Sequence, residues 1–482
     1  MVPTVRSAIA VAAGVLAGCG PGPRTEGPPS IVLVSLDTFR ADRLGALGHP
    51  GGLTPSLDRF AAEAVVFTHA YSQATLTAPS HASVFSSRYP SEQAAHGRAP
   101  VFPASTPPLA ELLRLYGFRT GAFVGGADLN PAMQLDVGFE TYTSPADFGS
   151  LWHTSGPALA WIDTRDTSRP FFAFVHGYDA HSRYLKPTPF GYVFADASRD
   201  TPGARAVRGE TERIADGVLL ADPGALQHVY GTRMRPRDAE GRVLLAERAE
   251  GEPLADGDVE HVRAVYDAAI AYADLEFGLL MAGLRDAGVL DEVVVVVMSD
   301  HGEQLGEHGL FGHSYGVSDL EAHVPLMVRM PGGAGGGRRV DAVVELVDLA
   351  PTLLELAGVP APAEIHGRSF AAALRGEAYS GRVAAMTQGD DRMRSVSARS
   401  RTTRLTYTGV ACTSPLLPEL LEAARVDGPG FTVEGDPAEA EVLRGELVAW
   451  LRTLAPSPKE RASRLPAALR DSLRAHGYWD AR

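Results

Sequence analysis

Five short runs constrain this chain more than anything else in it. IVLVSLD (31–37), AVVFTHA (64–70), TGAFVGG (120–126), FFAFVH (171–176) and VVVVVMSD (293–300) are apolar on both sides of the backbone. A strand with one wet face alternates apolar and polar residues; these runs do not, so both faces need cover. That is the pattern of a parallel sheet buried between helices. Helical patterns lie between the runs, as in LAELLRLYG (109–117) and in 259–288, where Tyr266, Ile270, Ala273, Phe277 and Leu280 form one stripe. Strands alternating with helices predict an α/β fold around a mainly parallel sheet. The chain has 482 residues, enough for one large or two moderate domains.

The pattern breaks between 185 and 257, which is polar and rich in Gly and Pro and reads as a variable insertion bordering a site. VELVDLAPTLLELAGVP (344–360) reads as a helix stopping at Gly358 and Pro360. After about residue 376 a shorter strand, RLTYTGV (404–410), and a helix, AEAEVLRGELVAWLRTL (438–454), predict a smaller antiparallel-sheet subdomain over 376–482.

At the start, Arg6 precedes an apolar run from Ala8 to Ala17. The run is short for a bilayer span, which needs about 20 residues, and it reads as a signal peptide over 1–18. Leu16-Ala17-Gly18-Cys19 resembles a bacterial lipobox, which implies lipidation at Cys19 and an extracytoplasmic place in the bacterial envelope. The Gly/Pro-rich segment 19–30 suits a tether. With Cys19 as anchor, Cys412 has no partner for an internal disulfide. The formal charge of −14 argues against a nucleic-acid ligand and does not exclude an anionic substrate at a cation. Nothing in the pattern sets an oligomeric state.

Ligands of open parallel sheets bind beyond the C-terminal strand ends. Asp37 follows one run there, and Asp300 with His301 follows another. An acid at a strand end often serves as a helix cap or an ion-pair partner. Two acids and an imidazole converging on one edge need a divalent cation between them, and Mn, Mg, Ca or Zn all suit the set. In LTAPSHASVFSSRYP (76–90), Pro79 suits a first helical turn, so Thr77 stands at a helix N-terminus as either a cap or a nucleophile.

VLVSLDTFRADRLGALGH (32–49), TAPSHASVFSSRYP (77–90), SDHGEQLGEHGLFGHS (299–314) and the 344–360 segment, in this order, resemble the sulfatase family. The resemblance covers about 31–375 and implies an alkaline-phosphatase-superfamily sandwich with one divalent cation at the C-terminal edge of the sheet. Three departures stand out. Thr77 occupies the slot of the Cys or Ser that sulfatases oxidise to formylglycine, and His81 replaces the following Arg, so no formylglycine is expected. Asp37-Thr38 replaces a pair of acids. The segment 120–131 lacks the Lys and His of the family's GKWHLG-like motif. Superfamily relatives with an unmodified Thr, lipoteichoic-acid-synthase-like enzymes among them, are phosphotransferases and phosphodiesterases. The resemblance to them implies Asp37, Thr77, Asp300 and His301 as the cation ligands.

Coordination lowers the pKa of a hydroxyl, and a helix N-terminus adds positive potential. Thr has one hydroxyl, where the hydrated aldehyde has two, so its ester must be cleared by water or another acceptor. Phosphoryl chemistry suits that better than sulfate transfer. The expected activity is hydrolysis or transfer at phosphate or sulfate esters, small or polymeric. The alternatives are a sulfatase without formylglycine and a non-catalytic envelope-binding protein that keeps the fold.

His181 resembles the family's His at the leaving-group oxygen, and His313 falls where many sulfatases have Lys. His81, one turn beyond Thr77, would orient Thr77 or bind an anionic oxygen. His176 and Asp179 are weaker candidates, and Asp179, His181 and His313 could hold a second cation. Glu303, Glu307 and His308 shape a loop, His323 is structural, Arg88 salt-bridges, and Asp348 caps a helix.

Overall fold

The structure, a computed structural model, describes residues 27–93, 102, 106–182, 184, 186–187, 189–201, 204, 255–307, 311–313, 316–389, 395–408 and 431–454. The expected signal segment, Cys19, most of the tether, residues 205–254 of the expected insertion, His308 and Cys412 lie outside the described residues.

The strands are β1 (Ser30–Leu36), β2 (Val65–Tyr71), β3 (Arg119–Phe123), β4 (Thr141–Thr143), β5 (Phe171–Gly177), β6 (Val293–Met298), β7 (Gln304–Leu305), β8 (Phe311–Gly312), β9 (Leu326–Arg329), β10 (Arg339–Glu345), β11 (Ala385–Gln388), β12 (Ser395–Arg399), β13 (Arg404–Thr408) and β14 (Phe431–Glu434). The helices are α1 (Pro55–Ala62), α2 (Thr77–Ser86), α3 (Leu109–Leu115), α4 (Leu151–Asp163), α5 (Asp258–Asp286), α6 (Asp319–Ala322), α7 (Leu349–Leu356), α8 (Ala371–Arg375) and α9 (Pro437–Thr453).

Eight strands form the large sheet in the order β10-β2-β9-β6-β1-β5-β3-β4. The two-residue period of a strand sends its apolar residues alternately to two cores. Ile31, Leu33, Val294 and Val296 face one core with α2, α3, α7 and α8. Val32, Val34, Val295 and Val297 face the other with α1, α4 and α5. This is the expected α/β sandwich. β9 alone runs antiparallel, against both β2 and β6. The connection from β6, residues 299–325, carries the β7–β8 hairpin and the short helix α6, and it returns the chain antiparallel to β6.

The segment 344–360 is corrected in part. Val344 and Glu345 end strand β10, which pairs in parallel with β2, and the helix spans only Leu349–Leu356. Pairing at the sheet edge overrides the helical pattern of those first residues. Gly358, at φ +67°, follows the helix end as expected.

A second sheet, β11-β12-β13-β14, is antiparallel and packs under α9, through Leu443, Leu447 and Trp450 onto Val396, Ala398 and Leu405. Buried ion pairs fasten it to the main sheet. Arg382 reaches Glu345 at 2.9 Å and also pairs with Asp348, while Glu345 accepts from the Tyr89 hydroxyl at 2.8 Å and the Met386 amide at 2.6 Å. Asp348 also caps locally, accepting from the Glu345 amide at 2.9 Å. Arg88 pairs with Glu92 at 3.2 Å, and His323 donates to the Thr68 carbonyl at 2.9 Å. No helix among the described residues is long and apolar enough to cross a membrane.

Candidate active site

Strand direction sets the site. β1, β5 and β6 are parallel neighbours, so Asp37, His176 and Asp300-His301 emerge on one edge. The loop after β2 brings the start of α2 to the same edge. Asp37, Asp300 and His301 are fully buried, and each offers a ligand atom within 4.8 Å of the others. The Thr77 hydroxyl donates to Asp37 Oδ2 at 3.2 Å and lies 3.5 Å from His301 Nε2. Thr77 is the first residue of α2, where backbone N–H groups lack helical partners.

The backbone is strained where it carries these groups. Thr38 adopts φ +54°, unfavourable for a β-branched residue. It is held by its amide to Asp300 Oδ1 at 3.3 Å and by the Tyr266 hydroxyl on its carbonyl at 2.7 Å. After His301 the chain turns at Gly302, where a Cβ would meet the Leu320 carbonyl oxygen at 2.0 Å.

Four imidazoles are set by backbone or hydroxyl partners. His301 Nδ1–H donates to the Gly302 carbonyl at 2.9 Å, which leaves the Nε2 lone pair toward Thr77 and Asp300. His81 Nδ1–H donates to the Thr77 carbonyl at 2.8 Å, and its Nε2 accepts from Ser35 Oγ at 2.9 Å. Both His81 nitrogens are thus engaged by the protein, which suits orienting Thr77 and not binding an anionic oxygen. His181 Nδ1–H donates to the Ser182 carbonyl at 2.9 Å and His313 Nδ1–H to the Thr75 carbonyl at 3.1 Å. Their Nε2 atoms then face each other at 3.4 Å. Two neutral rings so placed would oppose lone pairs; one proton between them makes a hydrogen bond.

Burial dominates the electrostatics. It raises the Asp37 carboxyl well above its ordinary range, and the charge of Asp300 adds to the effect. Asp300 is raised by burial and pulled back by His81. Burial pushes His301 down to about 4, and His176, His181 and His313 well below their usual range. His176 and His301 are therefore neutral near pH 7, the form that binds metal; a proton shared between the Nε2 atoms of His181 and His313 makes the pair cationic, a state that burial opposes and a bound anion favours.

The donor set fits a cation. Asp37 Oδ1 and Asp300 Oδ2 are buried with no hydrogen-bond partner among the described residues, and orphaned carboxylate oxygens inside a protein require an ion or a proton. With the His301 lone pair they make an oxygen-rich site for a divalent cation, whose identity the set leaves open.

The chain carries the descriptor of one family across most of its core: the Sulfatase profile matches residues 29–359, well over half of the sequence. This protein belongs to the sulfatase family. An N-acetylglucosamine-6-O-sulfatase of Bacteroides thetaiotaomicron is 24% identical over 424 residues, covering 76% of this chain and 75% of that protein. Arylsulfatase K of Rattus norvegicus is 23% identical over 367 residues and is spanned to 62% of its length by 71% of this chain. Among solved structures, phosphonate monoester hydrolases of Agrobacterium radiobacter (TM-score 0.62, 20% identity, 88% of this chain and 95% of that one) and Silicibacter pomeroyi (TM-score 0.64, 21% identity, 88% and 94%) share the fold.

Two groups at the site were underrated or missed by sequence reading. His176, the penultimate residue of β5, places Nε2 3.2 Å from Asp37 Oδ2; its position inside an apolar strand hid it. Asp128, 7% exposed in the loop after β3, is pushed up to about 7 by burial and by Asp300. Its signal was an acid in the small-residue stretch VGGADLNP (124–131), directly past a strand of the same edge. Asp179 is buried and accepts from the Leu151 amide at 2.9 Å, leaving Oδ1 without a hydrogen-bond partner among the described residues. Glu303 is buried behind the Asp300 loop, and Glu307 pairs with Arg40 at 2.9 Å.

Proposed function

We propose that this sulfatase cleaves phosphate or sulfate esters, phosphate foremost, with Thr77 as nucleophile. The observation that carries the reading is the Thr77 hydroxyl, at a helix N-terminus, bonded to Asp37 at 3.2 Å inside a cluster of orphaned carboxylate oxygens. The names of its relatives support attack at sulfur and at phosphorus, since they include a 6-O-sulfatase and phosphonate monoester hydrolases.

Asp37, Thr77, Asp300 and His301 would hold the cation, which supplies charge to stabilise the Thr77 oxygen as alkoxide. Thr77 Oγ forms a bond to phosphorus, and its proton leaves through Asp37 Oδ2, the acceptor it already has. The bond from phosphorus to the alcohol oxygen breaks, and that oxygen takes the proton held between His181 and His313. Water then attacks the same phosphorus and returns a proton to the histidine pair. The Thr77 oxygen departs and recovers its proton through Asp37. His81 holds the Thr77 backbone throughout, and His176 steadies Asp37. Both keep the nucleophile in line, so they are positioning residues.

The test is a side-by-side screen of aryl sulfate, phosphate monoester, phosphodiester and phosphonate monoester substrates with Mn, Mg, Ca and Zn. Thr77→Ala should lose about 10³-fold or more in kcat, and mass spectrometry of trapped protein should place the modification on Thr77. Turnover surviving within about tenfold in Thr77→Ala refutes the assignment.

We further propose that Cys19 anchors the protein by lipid outside the cytoplasm, on the strength of Leu16-Ala17-Gly18-Cys19 after an apolar run.

A further inference from the structure

Beside the reaction centre lies a cavity of about 590 Å³ that the proposed chemistry does not use. Its walls include Phe148, Trp152, Tyr178, Phe190, Tyr272 and Glu276. Its inner wall is shared with the site: the Phe148 ring lies 5.4 Å from His181, and the Tyr178 ring lies 4.6 Å from His176 and 5.3 Å from His181. A molecule bound here touches Phe148 and Tyr178, the rings packed against His181.

Ser150, His153 and Lys186 also line the cavity, and its one acid among the described residues is Glu276. Glu276 is 4% exposed, and among the described residues no Lys, Arg or His pairs with it. The Tyr272 hydroxyl lies against it, and burial raises its carboxyl above the usual range. Lys186 lines the cavity too, but its Nζ donates to the Tyr178 carbonyl at 3.4 Å, and its charge is set against Asp179 and Asp37. Lys186 therefore leaves the charge of Glu276 uncompensated.

Aromatic faces carry negative potential, and a carboxylate among them deepens it. A neutral ring would stack on Trp152 or Phe148 but leave Glu276 desolvated without a counter-charge, which is costly. An ammonium group meets the ring faces and the carboxylate together. We propose that this cavity receives the alcohol portion of the ester and recognises a cationic ammonium group on it, so that esters of amino alcohols are the preferred substrates. The inference rests on the ester-cleaving reading of the adjacent site. Trp152, 68% exposed at the mouth, supplies the outer ring face.

The experiment compares a charged ligand with its neutral isostere: choline phosphate against 3,3-dimethylbutyl phosphate, titrated calorimetrically into the full-length Thr77→Ala protein. Choline phosphate should bind at least about tenfold tighter. Glu276→Gln should bring that ratio close to one. Trp152→Ala, which alters an exposed side chain, should lower it at least about threefold. Equal or weaker binding of the charged ligand, a ratio unchanged in both variants, or no binding of either ligand overturns the proposal. Choline alone, against 3,3-dimethylbutanol, separates the two readings. If choline is preferred while no phosphate or sulfate ester is turned over, the ammonium subsite stands and the hydrolytic assignment falls.

Discussion

Replacing Asp37 by Asn should stabilise the metal-free protein and abolish its response to cations. Asp37 and Asp300 are fully buried with ligand atoms within 4.8 Å, and each keeps an oxygen without a partner. At an effective dielectric constant of about 20, two charges at 4.8 Å repel by about 3 kcal/mol. Asn keeps an oxygen to accept from Thr77 and removes one charge. After allowing for the buried amide, the gain is about 1–3 kcal/mol at pH 8 without metal. Unfolding entropy of about 2.1 cal/mol/K per residue over 482 residues is about 1 kcal/mol/K, so Tm should rise by about 1–3 °C.

The pH dependence has a definite sign. The Asp37 carboxyl is raised in the folded state by burial and by Asp300. The folded protein therefore binds more protons than the unfolded chain above the ordinary carboxyl range. Its metal-free stability should fall as pH rises through that window, and the slope should flatten in Asp37→Asn. A cation at 100 times its Kd should add about 2.7 kcal/mol to the wild type, about 3 °C, and almost nothing to the variant. The assay is thermal unfolding in chelator at several pH values, with and without Mn, Mg, Ca or Zn. An Asp37→Asn protein that melts below the wild type in chelator, or that gains the same shift from cation, would falsify the argument.

Asp128 titrates near 7 because burial and the charge of Asp300 raise it, so above that pH it places a negative charge beside an anionic substrate. The wild-type kcat/KM should decline above about pH 7, and Asp128→Asn should extend the plateau upward; identical pH profiles would exclude the effect. For the anchor, wild-type protein should partition with membranes and Cys19→Ser should not, so a Cys19→Ser protein retained in the membrane fraction would count against lipidation.

Much of the frame was legible because it depends on local period. The runs at β1, β2, β3, β5 and β6 are too apolar for a wet face, and the stripe from Tyr266 to Leu280 is a helix whatever surrounds it. The placing of Asp37 and Asp300 at strand ends followed from the same runs. Tertiary structure alone decided what depends on neighbours distant in sequence. Val344 and Glu345 joined a strand because the β2 edge was open to pair with them. β9 took its antiparallel direction from pairing with β2 and β6, strands far from each other in sequence. His176 and Asp128 entered the site through the packing of β3 and β5 beside β1, and Glu276 became an uncompensated charge only when aromatic rings from other elements closed around it. A residue's own side chain sets periodicity, which one strand of sequence displays; burial, partner and field arise from groups brought close by folding, and no local pattern carries them.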